Sequence, residues 1–139
     1  KKFNLTKLSN VKFIGFINKK KLNDIYDQCL FGITSYKKTK RHNYWNFGDS
    51  IKIREYADSG LIVISEGLYQ NTKEIIKYKF GKVYKTSNDL FKVINFYLKN
   101  NQEVKSSILR SKNWADKFNK KTYLKKLNYK ITYDFFEKI

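Results

Sequence analysis

The stretch Gly48-Asp49-Ser50-Ile51-Lys52-Ile53-Arg54-Glu55-Tyr56-Ala57-Asp58-Ser59-Gly60-Leu61-Ile62-Val63-Ile64-Ser65 reads as a helix that hands over at once to a strand. Asp49 and Ser50 are side chains that cap exposed amides at a helix start, and Gly60 marks a C′ stop. Leu61 to Ser65 is β-rich and apolar throughout, the pattern of a strand covered on both faces.

The same alternation extends in both directions. Val11, Phe13, Ile14, Phe16 and Ile17 form a short apolar run that predicts a strand over residues 11–17. Leu22, Ile25 and Tyr26 fall at i, i+3, i+4, and Cys29 extends the stripe, predicting a helix over 20–29 with Cys29 as a buried, inert thiol. Residues 30–35 predict a second doubly covered strand, and a polar, aromatic loop follows over 36–47. Downstream come a helix over 71–78, a strand over 81–85 and a helix capped by Ser87 that runs through Leu98. From residue 101 onward the apolar marks Ile108, Trp114, Phe118, Tyr123, Leu124, Leu127, Ile131 and Phe135 predict helix. Strands alternating with helices, with apolar central strands, imply an α/β fold: a Rossmann-like three-layer domain with a parallel sheet over 1–100, and C-terminal helices over 101–139 packed on it. In such open sheets ligands lie beyond the carboxyl ends of the strands, which points to the loops after Ile17, Ser35 and Ser65 and to the helix beginning at Asp49.

Composition narrows the class. A chain of 139 residues is one domain's worth, and 41% hydrophobic with 17% aromatic residues is enough for a packed core. No apolar run approaches the roughly 18 residues of a bilayer span and no signal peptide opens the sequence, so the expected setting is cytoplasmic. The chain holds no Met, which predicts a domain cut from a longer protein. One cysteine, Cys29, and one histidine, His42, exclude an internal disulfide and a His- or Cys-based metal cluster. The net charge of +18 would suit a polyanion. Yet of the 30 basic residues three are Arg (Arg41, Arg54, Arg110), which leaves 27 Lys, and readers of phosphate favour the bidentate fork of Arg. Lys, Asn, Ile, Tyr and Phe have A/T-rich codons and proline is absent, so genome bias accounts for the charge, and no nucleic acid is expected. What that bias leaves over is shared by peripheral contact with an anionic membrane and by nucleic acid.

The helix starting at Asp49 presents free amides and the positive end of a dipole after a Gly and two small polar residues, an arrangement suited to a diphosphate. Lys52 lies in its first turn, and Glu55 is three residues on, hence on the same face. A carboxylate one turn below a phosphate site can accept from two vicinal hydroxyls, as on a ribose. The same two residues also make an ordinary surface i,i+3 pair. His42, in the basic loop Lys37-Lys38-Thr39-Lys40-Arg41-His42, is read as solvated and not as a general base, and Tyr44, Trp45 and Phe47 either fold onto the domain or stack on a ligand.

Residues 50–64 resemble the helix-strand motif of the C-terminal domain of GT-B glycosyltransferases, which reads Lys, two residues, Glu-Tyr, a small-residue stretch, then Gly-x-Pro-Val-Ile. The flanks follow in order: Asn10-Val11-Lys12-Phe13-Ile14-Gly15 is similar to the family's Asn-Val-x-Phe-x-Gly strand, and Tyr26-Asp27-Gln28-Cys29 to its Tyr-x-x-Cys/Ala segment. Phe31 to Ser35 stands where that family has a strand ending in Pro-Ser, and Glu74-Ile75-Ile76 with Gly81-Lys82-Val83 resembles its Glu-Ile-Ile and Gly-x-Val pieces. The resemblance covers residues 9–100. It implies that Glu55 binds the donor ribose, and that Ser50, Lys52 and the amides at Asp49 to Ile51 fall where the diphosphate or sugar is held. Lys52 then serves catalysis by stabilising the leaving group, and Gly15 and Phe16 border the nucleobase. It further implies a nucleotide-diphosphate sugar as substrate, no metal and no other cofactor, and a polysaccharide or lipid-linked glycan acceptor bound through an N-terminal domain outside this chain. The setting is cytoplasmic, peripheral at the inner membrane face.

Three departures qualify the match. Phe47 stands where many members carry an earlier glutamate, and Ile62 replaces the usual proline. The strand-helix-strand unit that opens the family's domain is not represented, so the chain alone is expected not to turn over. Two alternatives stay open: a nucleotide-sugar epimerase of the same fold, and a non-catalytic basic α/β domain that binds nucleic acid.

Overall fold

The computed structural model describes residues 8–35, 50–67 and 71–118. Among them the order is α1 (Lys19–Tyr26), β1 (Phe31–Thr34), α2 (Ile51–Asp58), β2 (Ile62–Ser65), α3 (Thr72–Tyr78), β3 (Gly81–Val83), α4 (Ser87–Leu98) and α5 (Asn101–Phe118). The three strands form one parallel sheet in the order β1-β2-β3. The register pairs Phe31 with Ile62 and Thr34 with Ser65 on one side of β2, and Val63 with Gly81 on the other. Helices flank this sheet, and the α/β class with a parallel sheet is consistent with a Rossmann-like three-layer domain.

The central strand is the reason the sheet holds together. Ile62, Val63 and Ile64 are fully buried, and Ser65 with them, so β2 has no solvent face. The core gathers Ile53 and Ala57 from α2, Val63 from β2, Ile75 from α3, Phe80 before β3, and Trp114 with Ala115 from α5. Trp114 stacks on Phe80 at 4.6 Å, and its indole N–H donates to Glu74 Oε2 at 2.6 Å, so the large ring is buried without an orphan donor. Ser111, fully buried, lies with its hydroxyl 2.8 Å from the Leu61 carbonyl and 3.1 Å from that of Phe80. That contact fastens α5 to the amino ends of β2 and β3.

Local signals set the helix ends. Gly60 follows the C-cap of α2 at φ +76°, the left-handed position that lets the chain reverse into β2. Gly32 of β1 is a matter of space: a Cβ there would fall 2.3 Å from the Tyr56 ring carbon, so α2 lies directly against β1 because this residue has no side chain. Helix α4 starts one residue earlier than Ser87 suggested, with Thr86 as N-cap in a reciprocal capping box with Asp89.

Three expectations from the sequence need correction. Residues 11–17 form no strand. Val11, Phe13, Ile14 and Phe16 are exposed, and the backbone bond here is a turn from Val11 N–H to the Leu8 carbonyl. Apolar alternation favours an extended chain, but a strand requires a ladder partner, and among the described residues β1 pairs only with β2. Being an edge strand, β1 is also not covered on both faces: Ile33 is 39% exposed. Cys29 is an exposed free thiol, because α1 ends at Tyr26 with Asp27 as C-cap and the turn beyond carries Cys29 out of helical register. The expectations for residues 36–49 and 119–139, including Asp49, His42 and the aromatic loop, lie outside the described residues.

Candidate functional site

The carboxyl ends of β1 and β2 carry an unusual concentration of buried polar side chains for so apolar a sheet. Thr34 closes β1 and Ser65 closes β2, both buried, and the Thr34 hydroxyl donates to Ser65 Oγ at 2.8 Å. The Tyr84 hydroxyl donates to the Thr34 carbonyl at 3.0 Å, and the Glu66 N–H reaches the same carbonyl at 3.3 Å. These bonds hold the strand ends in register and fix the points from which the following loops depart.

Helix α2 begins above this layer. Ser50 is its N-cap and is buried, but its side chain does not cap the helix. Asn71, 1% exposed, takes over part of that work: its Oδ1 accepts from the Ser50 N–H at 3.3 Å and its Nδ2 donates to the Ser50 carbonyl at 3.0 Å. Asn71 is at the same time the N-cap of α3, so one carboxamide couples the starts of two helices that leave neighbouring strands. The amide-rich start of α2 is thereby held at the carboxyl edge of the sheet, where an α/β domain places its ligands.

One turn into α2, Glu55 forms an ion pair with Lys19, whose Nζ lies 2.9 Å from Oε1. The Lys19 ammonium also lies 6.0 Å from the Tyr26 ring, and Tyr26 meets Tyr56 edge-on at 5.5 Å. Burial first, and then the nearby Glu55 carboxylate, raise the Tyr26 hydroxyl above its ordinary value of 10.0, while Lys19 opposes them. Lys19 is the first residue of α1, positioned by Asn18, whose side chain accepts from the Lys21 N–H at 2.9 Å. The pair therefore ties the start of α1 to the middle of α2.

Of the residues singled out from sequence, Ser50, Lys52 and Glu55 share the first turns of α2, with Ser50 buried and Lys52 exposed. Gly15 adopts φ +69° with open space where a Cβ would stand, and the Phe16 side chain is fully solvent-exposed. Asp49 lies outside the described residues. A cavity of about 400 Å³ runs along β3 beside Lys79, Lys82, Tyr97 and Glu103, and none of the site residues singled out from sequence lines it. Sequence reasoning missed Asn71, Lys19 and the Thr34–Ser65 pair. Polar residues closing two otherwise apolar strands were a usable signal for the last, whereas Lys19 was one cation among 27 lysines and nothing in the spacing set it apart.

Among the described residues no helix is long and apolar enough to cross a membrane, and no group of three His, Cys, Asp or Glu side chains is placed to hold a metal ion. Comparison with protein-family models, with curated proteins and with solved structures finds no match to this chain.

Proposed function

We propose that this chain is the donor-nucleotide-binding part of a GT-B glycosyltransferase, which holds the diphosphate and ribose of a nucleotide sugar. The observation that carries the proposal is the Lys19–Glu55 ion pair, because it ties the start of α1 to the helix bearing Ser50, Lys52 and Glu55. In this reading the α2 amides and Lys52 receive the diphosphate, and Glu55 accepts from the ribose hydroxyls. The same groups that bind the diphosphate stabilise the negative charge that grows on it as the sugar departs. That stabilisation is the contribution of this chain to catalysis; transfer to a polysaccharide or lipid-linked acceptor, at the inner face of the membrane, completes the proposed reaction. No metal is invoked, since the cationic side chain and helix dipole supply the countercharge.

Calorimetric titration with UDP, GDP and ADP tests this. One of them is expected to bind saturably, and Glu55→Ala to reduce that affinity by about tenfold or more, as for the loss of hydrogen bonds to a charged acceptor. Absence of binding by all three would defeat the proposal. The net charge of +18 favours a second reading, a basic domain that binds nucleic acid, and its signature is polynucleotide binding with a steep salt dependence.

A further inference from the structure

We propose that Lys19 is a positioning residue that sets the Glu55 carboxylate for a vicinal diol, so that the site selects ribonucleotides over 2′-deoxyribonucleotides. This rests on the donor-nucleotide reading above.

Glu55 stands on a partly exposed face of α2, its side chain 32% accessible, with three rotatable bonds to arrest before it can serve as an acceptor. A long, freely turning carboxylate discriminates poorly, because ordering it on binding offsets the hydrogen bonds it then makes. Lys19 removes that cost in advance. Its ammonium holds Oε1 at 2.9 Å, a charge-assisted distance. Lys19 is restrained in turn by its place at the capped start of α1 and by the Tyr26 ring beneath it. The Tyr26–Tyr56 edge contact is a second point at which the same two helices meet, one residue from Glu55.

The geometry leaves the carboxylate usable. An ionised carboxylate has about four lone-pair positions. The ammonium occupies one of them on Oε1, and the Glu55 carboxylate makes no other hydrogen bond among the described residues. Two hydroxyl donors on adjacent carbons can therefore be received without displacing the lysine. A plain surface ion pair would do none of this. It would add little stability and leave ligand preference untouched, which is where the two roles separate.

The test uses the full chain and calorimetric titration with UDP, GDP and ADP, each against its 2′-deoxy counterpart, following whichever base binds most tightly. The wild-type chain is expected to favour the ribonucleotide by about tenfold. Lys19→Ala should narrow that ratio threefold or more while leaving the 2′-deoxy affinity and the thermal midpoint near wild type. Lys19→Arg should restore the ratio, and Lys19→Ala added to Glu55→Gln should narrow it no further than Glu55→Gln alone. Lys19→Gln, which keeps the stem, stands in if the alanine variant melts early. A wild-type ratio in Lys19→Ala, with collapse in Glu55→Gln, overturns the role of Lys19 and leaves the nucleotide reading intact. Equal weakening of both nucleotides by Lys19→Ala also overturns it, since Lys19 would then act on the phosphates. If no nucleoside diphosphate binds the wild-type chain, the underlying reading fails and takes this one with it.

Discussion

Asn71 shows how much one buried carboxamide can organise. It spans the Ser50 N–H and carbonyl, and both are buried where water cannot substitute. Asn71→Ala leaves those groups without their side-chain partner, at about 1–3 kcal/mol. Asn71→Asp keeps the acceptor for the Ser50 N–H but brings a carboxylate against the Ser50 carbonyl, so it should fall short of rescue. Urea unfolding followed by circular dichroism would rank them wild type, then Asp, then Ala; indistinguishable midpoints for all three would show that the clamp is dispensable. Lys79 offers the opposite case. It is the C-cap of α3 at φ +55°, a left-handed conformation held by a residue with a Cβ. Lys79→Gly should stabilise the chain by about 0.5–1 kcal/mol, because relief of that strain exceeds the added freedom of the unfolded glycine. The thermal midpoint measures it. The carbonyl of Lys79, which accepts from Arg110 Nε, is unaffected by the exchange.

At the scale of elements, helices and the central strand were legible because their signals are local. Capping residues, a glycine at the C′ position and 3.6-residue spacing decide where α2 and α4 begin or end, and the all-apolar run Leu61 to Ile64 could only be a covered strand. Residues 11–17 and β1 were misjudged because coverage of a strand depends on neighbours that no local pattern encodes. Helix α4 gives the most direct test of a local signal. The Thr86 hydroxyl, followed by the backbone N–H groups of Thr86 and Lys85, holds the Asp89 carboxyl below its ordinary value of 3.8. A carboxyl with a depressed value in the folded chain contributes stability that is present above its unfolded value. That contribution is lost as pH falls through the folded value, here on the acid side of 3.8. Thr86→Ala is expected to cost about 1 kcal/mol near neutrality through the lost cap. It should also return Asp89 toward its ordinary value, which flattens the acid limb of the stability curve between about pH 5 and about pH 2. A carboxyl-detected NMR titration in which Asp89 does not move would show that the box does not form.

The molecule as a whole carries +18, and that charge bears on which partner the chain selects. Lysines distributed over the surface create a diffuse positive field, screened within about 8–10 Å at physiological salt. Such a field attracts any polyanion weakly and without geometry, whereas the proposed nucleotide site is local and depends on Glu55, which is itself negative. The two modes therefore respond in opposite directions to one substitution. Removing the Glu55 carboxylate deletes the ribose acceptor and raises the net charge by one, so Glu55→Ala should weaken nucleoside diphosphate binding by about tenfold or more while leaving binding to a labelled single-stranded oligonucleotide unchanged or slightly tighter. Salt separates them further. Oligonucleotide affinity should fall steeply with added salt, with a log–log slope of about −0.7 for each phosphate neutralised, while the nucleotide, with two phosphates, should respond only shallowly. Fluorescence anisotropy at a series of salt concentrations, on the wild type and on Glu55→Ala, measures both. If the oligonucleotide and the nucleotide compete for one site and both are lost in Glu55→Ala, the partition between a diffuse field and a local site is wrong, and the surface around Glu55 becomes the binding surface for nucleic acid.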